Sequence, residues 1–367
     1  MQFIIDAHED IAWNMLSYGR DYRRSALETR KLEAGTPTVA ANGDCLLGWP
    51  EYQRGRVVAV FATMYASPKR SVLNPDEKIF YPDSDFDTAH KLYWQQLEIY
   101  HRLSDTQPDF FRLIASRSEL SGLLHRWESP SADGHPVGLI PLMEGAEGIR
   151  SPRELHQWWD FGLRHIGLAW AGTRFCGGTN EPGPLTEEGR AMLRAMAEFP
   201  FTLDLSHMDE TSSIEALDLY EGPIIATHAN CLALLPGVTH YVNRHLSDRV
   251  LRGLIERGGI IGVVPLNTFL KPGWLRTNGS RREEVSLSAL ADHIDYICQL
   301  AGSSRHAAIG SDFDGGFGLQ SVPPEIDTIA DLHKLTDLLV PRGYTQEDMA
   351  AIFGENWFRH LNTNLPS

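Results

Sequence analysis

Three histidines and three acids in this sequence of 367 residues stand where short apolar runs end, and their types are those of metal ligands. The first pair lies in Asp6-Ala7-His8-Glu9-Asp10, directly after Phe3-Ile4-Ile5. In an extended segment residues i and i+2 point the same way, so His8 and Asp10 face one side and Glu9 the other. Glu144 closes Leu142-Met143-Glu144, His207 closes Leu203-Asp204-Leu205-Ser206-His207, and His228 closes Ile224-Ile225-Ala226-Thr227-His228. Asp312 closes Ile309-Gly310-Ser311-Asp312. Imidazole and carboxylate together suit zinc and related divalent ions. The two oxygens of Glu144 are able to bridge two ions, with His8 and Asp10 completing one site and His207 and His228 the other. A water held between two such ions loses its proton near neutral pH and becomes a nucleophile. Asp312 then reads as the group that takes that proton and returns it to the leaving amine. Each residue also has an ordinary alternative. Asp10 is placed to cap a helix, and Asp312 to cap a loop in Ser311-Asp312-Phe313-Asp314-Gly315. That last segment lacks the later spaced ligands and the closing glutamate of a calcium loop.

Residues so far apart converge only if the elements carrying them end at one place. Eight apolar runs are legible, near Phe3–Ile5, Val57–Tyr65, Val137–Met143, His165–Trp170, Phe201–Ser206, Ile224–Thr227, Ile260–Pro265 and Ala307–Ser311. Several are continuous in Ile, Val and Leu, as strands of a parallel sheet covered on both faces must be. Amphipathic stretches with helix-start signals separate them. Ser151-Pro152-Arg153-Glu154 reads as a capping box with proline at the first helical position, and Thr345-Gln346-Glu347-Asp348 as a similar start to the last long helix. Eight alternations favour a closed (β/α)₈ TIM barrel, whose active sites form at the C-terminal ends of the strands. The whole chain, 1–367, is expected to be one barrel domain. The long segments after the first and second strands, the latter aromatic-rich from Phe80 to Phe111, are expected to be insertions and extra helices beside it. Glu128–Pro136 reads as a surface loop.

A formal net charge of −15 argues against unspecific binding to nucleic acid or an anionic membrane. No run of roughly 18 apolar residues exists to span a bilayer, and Met1-Gln2-Phe3-Ile4-Ile5 reads as the start of a strand, not as a signal peptide. The four cysteines, Cys45, Cys176, Cys231 and Cys298, are widely spaced, which disfavours a disulfide framework and fits a reducing, cytoplasmic setting.

With these residues in view, the chain resembles the membrane dipeptidase (renal dipeptidase) family of the amidohydrolase superfamily. The resemblance rests on His8-Glu9-Asp10, Glu144-Gly145-Ala146-Glu147-Gly148, Asp204-Leu205-Ser206-His207 and the full Gly310-Ser311-Asp312-Phe313-Asp314-Gly315 motif. His293-Ile294-Asp295-Tyr296-Ile297 and Gly354-Glu355-Asn356-Trp357 are also similar, so the likeness runs from about residue 3 to 360. It implies a binuclear zinc enzyme, with two Zn²⁺ ions, that hydrolyses dipeptides, often with a D-residue at the C-terminal position, and is frequently a homodimer. It also implies that Arg244, in Arg244-His245-Leu246-Ser247-Asp248, grips the substrate's terminal carboxylate, although His245 stands where the family has Asn. A surface arginine is the plain alternative. Trp170 occupies the place of a family histidine that contacts the substrate near the scissile carbonyl. An indole donates one hydrogen bond but carries no positive charge. That departure keeps a second reading open, a metallohydrolase of another amide such as an N-acyl amino acid or cyclic amide. A non-catalytic binding barrel is the third.

Overall fold

The computed structural model describes residues 3–72, 77–131 and 134–367. Eight strands run in chain order: β1 Ile4–Glu9, β2 Val57–Met64, β3 Val137–Glu144, β4 His165–Gly167, β5 Thr202–Asp204, β6 Ile224–Ile225, β7 Ile261–Val263 and β8 Ala307–Ile309. Each of the first three is buried at every position, which explains their continuous apolar character. Every strand from β1 to β6 pairs in parallel with the next, and β7 pairs in parallel with β8. Two single parallel bridges, Ala226 with Ile261 and Glu9 with Phe313, close the ring. The expected (β/α)₈ barrel is the observed one.

The strand expected over His165–Trp170 stops at Gly167. Its later carbonyls are taken elsewhere: Leu168 O accepts from Thr173 Oγ1 at 2.8 Å, and Trp170 O from Thr179 N at 2.8 Å. Chain that cannot offer these groups to a neighbouring strand leaves the ladder.

Four helices, Ile11–Tyr18, Ala26–Glu33, Pro37–Asn42 and Trp49–Gly55, fill the segment after β1. After β2 come a two-stranded ribbon (Ser67–Pro68 with Phe80–Tyr81), the long helix Phe86–Thr106, a short strand Phe111–Leu113 laid on the start of β3, and the helix Arg117–Glu128. These are the expected insertions. The loop expected at 128–136 lies partly outside the described residues. A hairpin of Cys176–Gly178 and Glu181–Leu185 follows β4 and was not expected, since Glu181-Pro-Gly-Pro-Leu185 has no strand propensity.

The two helix starts read from sequence divide. Thr345 Oγ1 accepts from Asp348 N at 3.2 Å and Asp348 Oδ2 accepts from Thr345 N at 2.9 Å, a complete capping box. Ser151 makes no such bond. Glu154 turns instead to Arg150, accepting from its backbone N at 3.1 Å and its Nε at 2.8 Å, and the chain enters the helix through a 3₁₀ turn at Pro152–Glu154. The Gly354-Glu355-Asn356-Trp357 segment seals the floor of the barrel. Asn356 Nδ2 donates to Ala307 O at 2.8 Å and Trp357 Nε1 to Ile309 O at 2.8 Å. A Cβ on Gly354 would lie 2.6 Å from the ring of Phe3, so the close approach requires glycine.

Candidate metal centre

His8 and Asp10 leave the end of β1 on its inner side, while Glu9 turns outward and accepts from Tyr52 Oη at 2.5 Å. Asp10 stands immediately before the helix Ile11–Tyr18, but its side chain makes no cap bond. Its carboxylate lies 3.8 Å from His8 Nε2 instead. Glu144 Oε1 is 3.7 Å from His8 Nε2, 2.9 Å from His207 Nε2 and 3.2 Å from His228 Nε2. Asp312 Oδ1 reaches within 3.9 Å of His8 Nε2. The six side chains singled out from sequence therefore meet at the C-terminal mouth of the barrel. They form three overlapping groups that could each hold a metal ion: His8, Asp10 and Glu144; Glu144, His207 and His228; His8, His228 and Asp312.

The atoms of this ring fit a divalent cation. Both ring nitrogens of His8 and Oδ1 of Asp10 are buried without a hydrogen-bond partner. His207 Nε2 and His228 Nε2 face each other at 3.0 Å, close enough for one cation to take a lone pair from each. Burial, then Arg244 for His207 and His8 for His228, hold both imidazoles well below their usual range and therefore neutral. Burial opposes charge on His8 as well, but Glu144, Asp10 and Asp312 outweigh it and raise its pKa to about 10. Burial lifts Glu144 well above the usual carboxylate range, and lifts Asp312 to about 7. Acids this crowded in a dry site call for positive charge.

A layer behind the ring orients it. Thr227 Oγ1 donates to Asp204 Oδ2 at 2.5 Å and lies 2.8 Å from His228 Nδ1. Asp204 Oδ1 also accepts from Ser206 Oγ at 2.6 Å and Thr227 N at 2.9 Å. Thr179 Oγ1, from the unexpected hairpin, is 2.8 Å from His207 Nδ1. On the other flank Asn14 Nδ2 joins the carbonyls of Asp10 and Asp314, each at 2.9 Å. Asp314 is pinned by Arg20 at 3.1 Å and Tyr22 Oη at 3.0 Å. Asp312 and Asp314 both adopt left-handed backbone, with φ of 57° and 65°. Gly315 makes room for them: a Cβ there would lie 2.0 Å from Asp312 Oδ1 and 2.9 Å from Asp10 Oδ2.

Arg244 is 2 % exposed and donates through Nη1 to Ser206 O at 2.8 Å. Its Nε and Nη2 are buried and unpartnered, and its guanidinium lies over the Phe269 ring at 5.2 Å. Trp170 is half-buried between Tyr65 and His207, with ring centroids 5.1 and 6.0 Å away. His245 turns its ring edge-on to Phe269 at 5.1 Å. Among residues the sequence reading passed over are Thr179, Thr227, Asn14 and Asp314. Thr227 adjoins a candidate ligand and Asp314 sits within a recognised motif, so both had a signal. Thr179 and Asn14 had none.

A closed parallel barrel with imidazoles and carboxylates converging at its C-terminal mouth defines a metal-dependent hydrolase. The chain belongs to the membrane dipeptidase family (peptidase family M19), whose profile matches residues 2–364. An uncharacterised Klebsiella pneumoniae protein from the pqqA 5' region is 30 % identical over 280 residues, covering 74 % of this chain and 95 % of its own length. The dipeptidase aclJ of Aspergillus oryzae is 26 % identical over 322 residues, 85 % of this chain and 68 % of that protein. A Rhodobacter sphaeroides metallopeptidase, solved with a phosphinate mimic of the dipeptide L-Ala-D-Ala, shares the fold with a TM-score of 0.76. It has 23 % identity and full coverage of both chains. No helix among the described residues is long and apolar enough to cross a membrane.

Proposed function

We propose that this enzyme is a binuclear zinc dipeptidase. The observation that carries this reading is the shared position of Glu144 in two ligand groups. His8, Asp10 and Glu144 would hold one ion, and Glu144, His207 and His228 the second. Ions bound there supply a water acidic enough to ionise near neutral pH and polarise the scissile carbonyl.

The chain's own groups do the rest. Asp312 accepts the proton of the attacking water and returns it to the amide nitrogen as the C–N bond breaks. Its side chain keeps 13 % exposure, against 1 % for His8, 6 % for Glu144 and 7 % for Asp10, so it is the ring carboxylate open to substrate. Arg244 offers its free Nε and Nη2 to the terminal carboxylate, a charge-assisted fork that orients the dipeptide. The dipeptide mimic held by the Rhodobacter sphaeroides protein supports this substrate class, including a D-residue at the C-terminal position. Trp170 favours the second reading, hydrolysis of another amide, because its indole lies beside His207 where the family places an imidazole.

Metal analysis of the purified protein, with a panel of L,L- and L,D-dipeptides, tests the proposal. We expect close to two zinc ions per chain, loss of at least one in His207→Ala, and chelator-sensitive hydrolysis restored by zinc. A single ion at saturation would rule out the bridged centre, and turnover of N-acyl amino acids alone would select the second reading.

A further inference from the structure

The side chain of Arg244 reaches inward, to Ser206 O beside His207, and Asp312 and Glu144 act on its charge from the metal ring. The chain that delivers it is a surface loop. Residues 236–242 are all exposed or half-buried. Val238 N donates to Leu235 O at 3.2 Å and Arg244 N to Tyr241 O at 2.9 Å, bonds that stay within the loop. Beyond Arg244 the chain is fastened to its surroundings: Leu246 N donates to Asn230 O and Leu232 N to Leu246 O, each at 2.9 Å. A backbone held on that side alone would let the guanidinium swing, and a two-pronged contact with a carboxylate tolerates little displacement.

Asn243 supplies the second fastening. Its Nδ2 donates to Gly178 O at 2.6 Å and its Oδ1 accepts from Asn180 N at 3.1 Å. One backbone acceptor and one backbone donor fix which way round the amide lies. The amide therefore brackets Thr179, at the tip of the hairpin that follows β4, and its Nδ2 is also 3.4 Å from Asp209 Oδ2. That tip is a firm seat. Thr179 N donates to Trp170 O at 2.8 Å, and Asp209 N to Gly177 O at 3.0 Å. A Cβ on Gly178 would lie 2.4 Å from Ala171 O, so the tip is packed directly on the chain leaving β4.

We propose that Asn243 is a positioning residue for substrate recognition, a role that rests on the dipeptide reading above. By holding the Val242–Arg244 turn on the hairpin tip at 178–180, it sets the guanidinium of Arg244 where a C-terminal carboxylate meets it. One hairpin tip then serves two parts of the site, with Thr179 at Nδ1 of His207 and Asn243 behind Arg244. Thr179 keeps its own bond to Trp170 O without Asn243, so carboxylate recognition and metal binding are separable.

The test is Asn243→Leu, which keeps the branched shape, adds no charge and removes both bonds. Alanyl-alanine and alanyl-alanine amide are the substrates, with metal analysis of each protein. We expect a roughly ten-fold loss of kcat/KM on alanyl-alanine, chiefly in KM, and a change within about two-fold on the amide. Zinc content should match that of the parent. An unchanged preference for the free carboxylate overturns the positioning role and leaves the dipeptidase reading standing. Equal loss on both substrates also overturns it, since a merely structural side chain would act on both. Loss of an ion overturns it in favour of support for His207 through Thr179. A parent that hydrolyses neither compound overturns the dipeptidase reading instead, and crystal structures of parent and variant then decide. A guanidinium displaced from Ser206 O in Asn243→Leu supports the positioning role, and one still bonded there removes it.

Discussion

Thr227 Oγ1 lies 2.8 Å from Nδ1 of His228 and gives its own proton to Asp204 Oδ2 at 2.5 Å. Because the hydroxyl hydrogen is spent on the carboxylate, Oγ1 accepts from His228, whose proton therefore sits on Nδ1. That fixes the tautomer with a bare Nε2 aimed at Glu144 and His207. Thr227→Val keeps the shape and removes the acceptor. We expect its metal affinity to fall by about 10- to 100-fold, measured by competition with a chromophoric chelator, with the fold intact by circular dichroism. Unchanged affinity would show that the tautomer is set by something else.

Asp312 separates proton transfer from ligation. Asp312→Asn should keep its bound metal and lose about two to four orders of magnitude in turnover. Steady-state kinetics alongside metal analysis checks both halves. A variant as active as the parent removes Asp312 from the proton path, and one that loses an ion makes it a ligand with His8 and His228.

The convergence of His8, Asp10, Glu144, His207, His228 and Asp312 was legible because each lies at the C-terminal end of a buried strand or within three residues of it, and a parallel barrel brings all strand ends to one mouth. The eight strands were legible for the same reason, since burial on both faces writes itself as continuous Ile, Val and Leu. What escaped the sequence was set by partners distant along the chain. Thr179 reaches His207 from a hairpin built of glycine and proline, which carries no strand pattern. Asn14 gains its meaning only when the carbonyl of Asp314, 300 residues away, arrives beside that of Asp10. Ser151 had the right spacing to cap a helix, but Arg150 competed for Glu154 and won it.

Acid should weaken the barrel floor. His360 sits beside His165, with ring centroids 5.8 Å apart, and burial followed by Arg359 lowers its pKa to about 4. Burial and then His360 hold His165 well below its usual value. An imidazole kept neutral in the fold ionises near its ordinary value, about 6.5, once unfolded. Its stabilising contribution is thus complete above that pH and drains away as pH falls toward about 4. Urea unfolding at pH 7.5 and pH 5 should show a loss for the parent that exceeds that of His360→Gln by roughly 1 to 2 kcal/mol. Equal losses would place the acid sensitivity elsewhere.

Specificity turns on Arg244 and Trp170. If the free Nε and Nη2 of Arg244 receive a terminal carboxylate, Arg244→Ala should impair substrates that carry one by roughly 1.5 to 3 kcal/mol in kcat/KM. Amidated or esterified analogues never used that charge, so parent and variant should handle them alike. Equal loss on both kinds of substrate would make Arg244 a structural brace for Ser206, to whose carbonyl it already donates. Trp170→His then asks what the indole beside His207 does. An imidazole restores a second polar atom and the capacity for charge near the scissile carbonyl. A rise in dipeptide turnover would mean that the parent is tuned to another amide and that the missing contact limited it. No change, in a parent that already cleaves dipeptides well, would make Trp170 a wall against which the substrate packs, and the dipeptidase reading would hold with the indole in place.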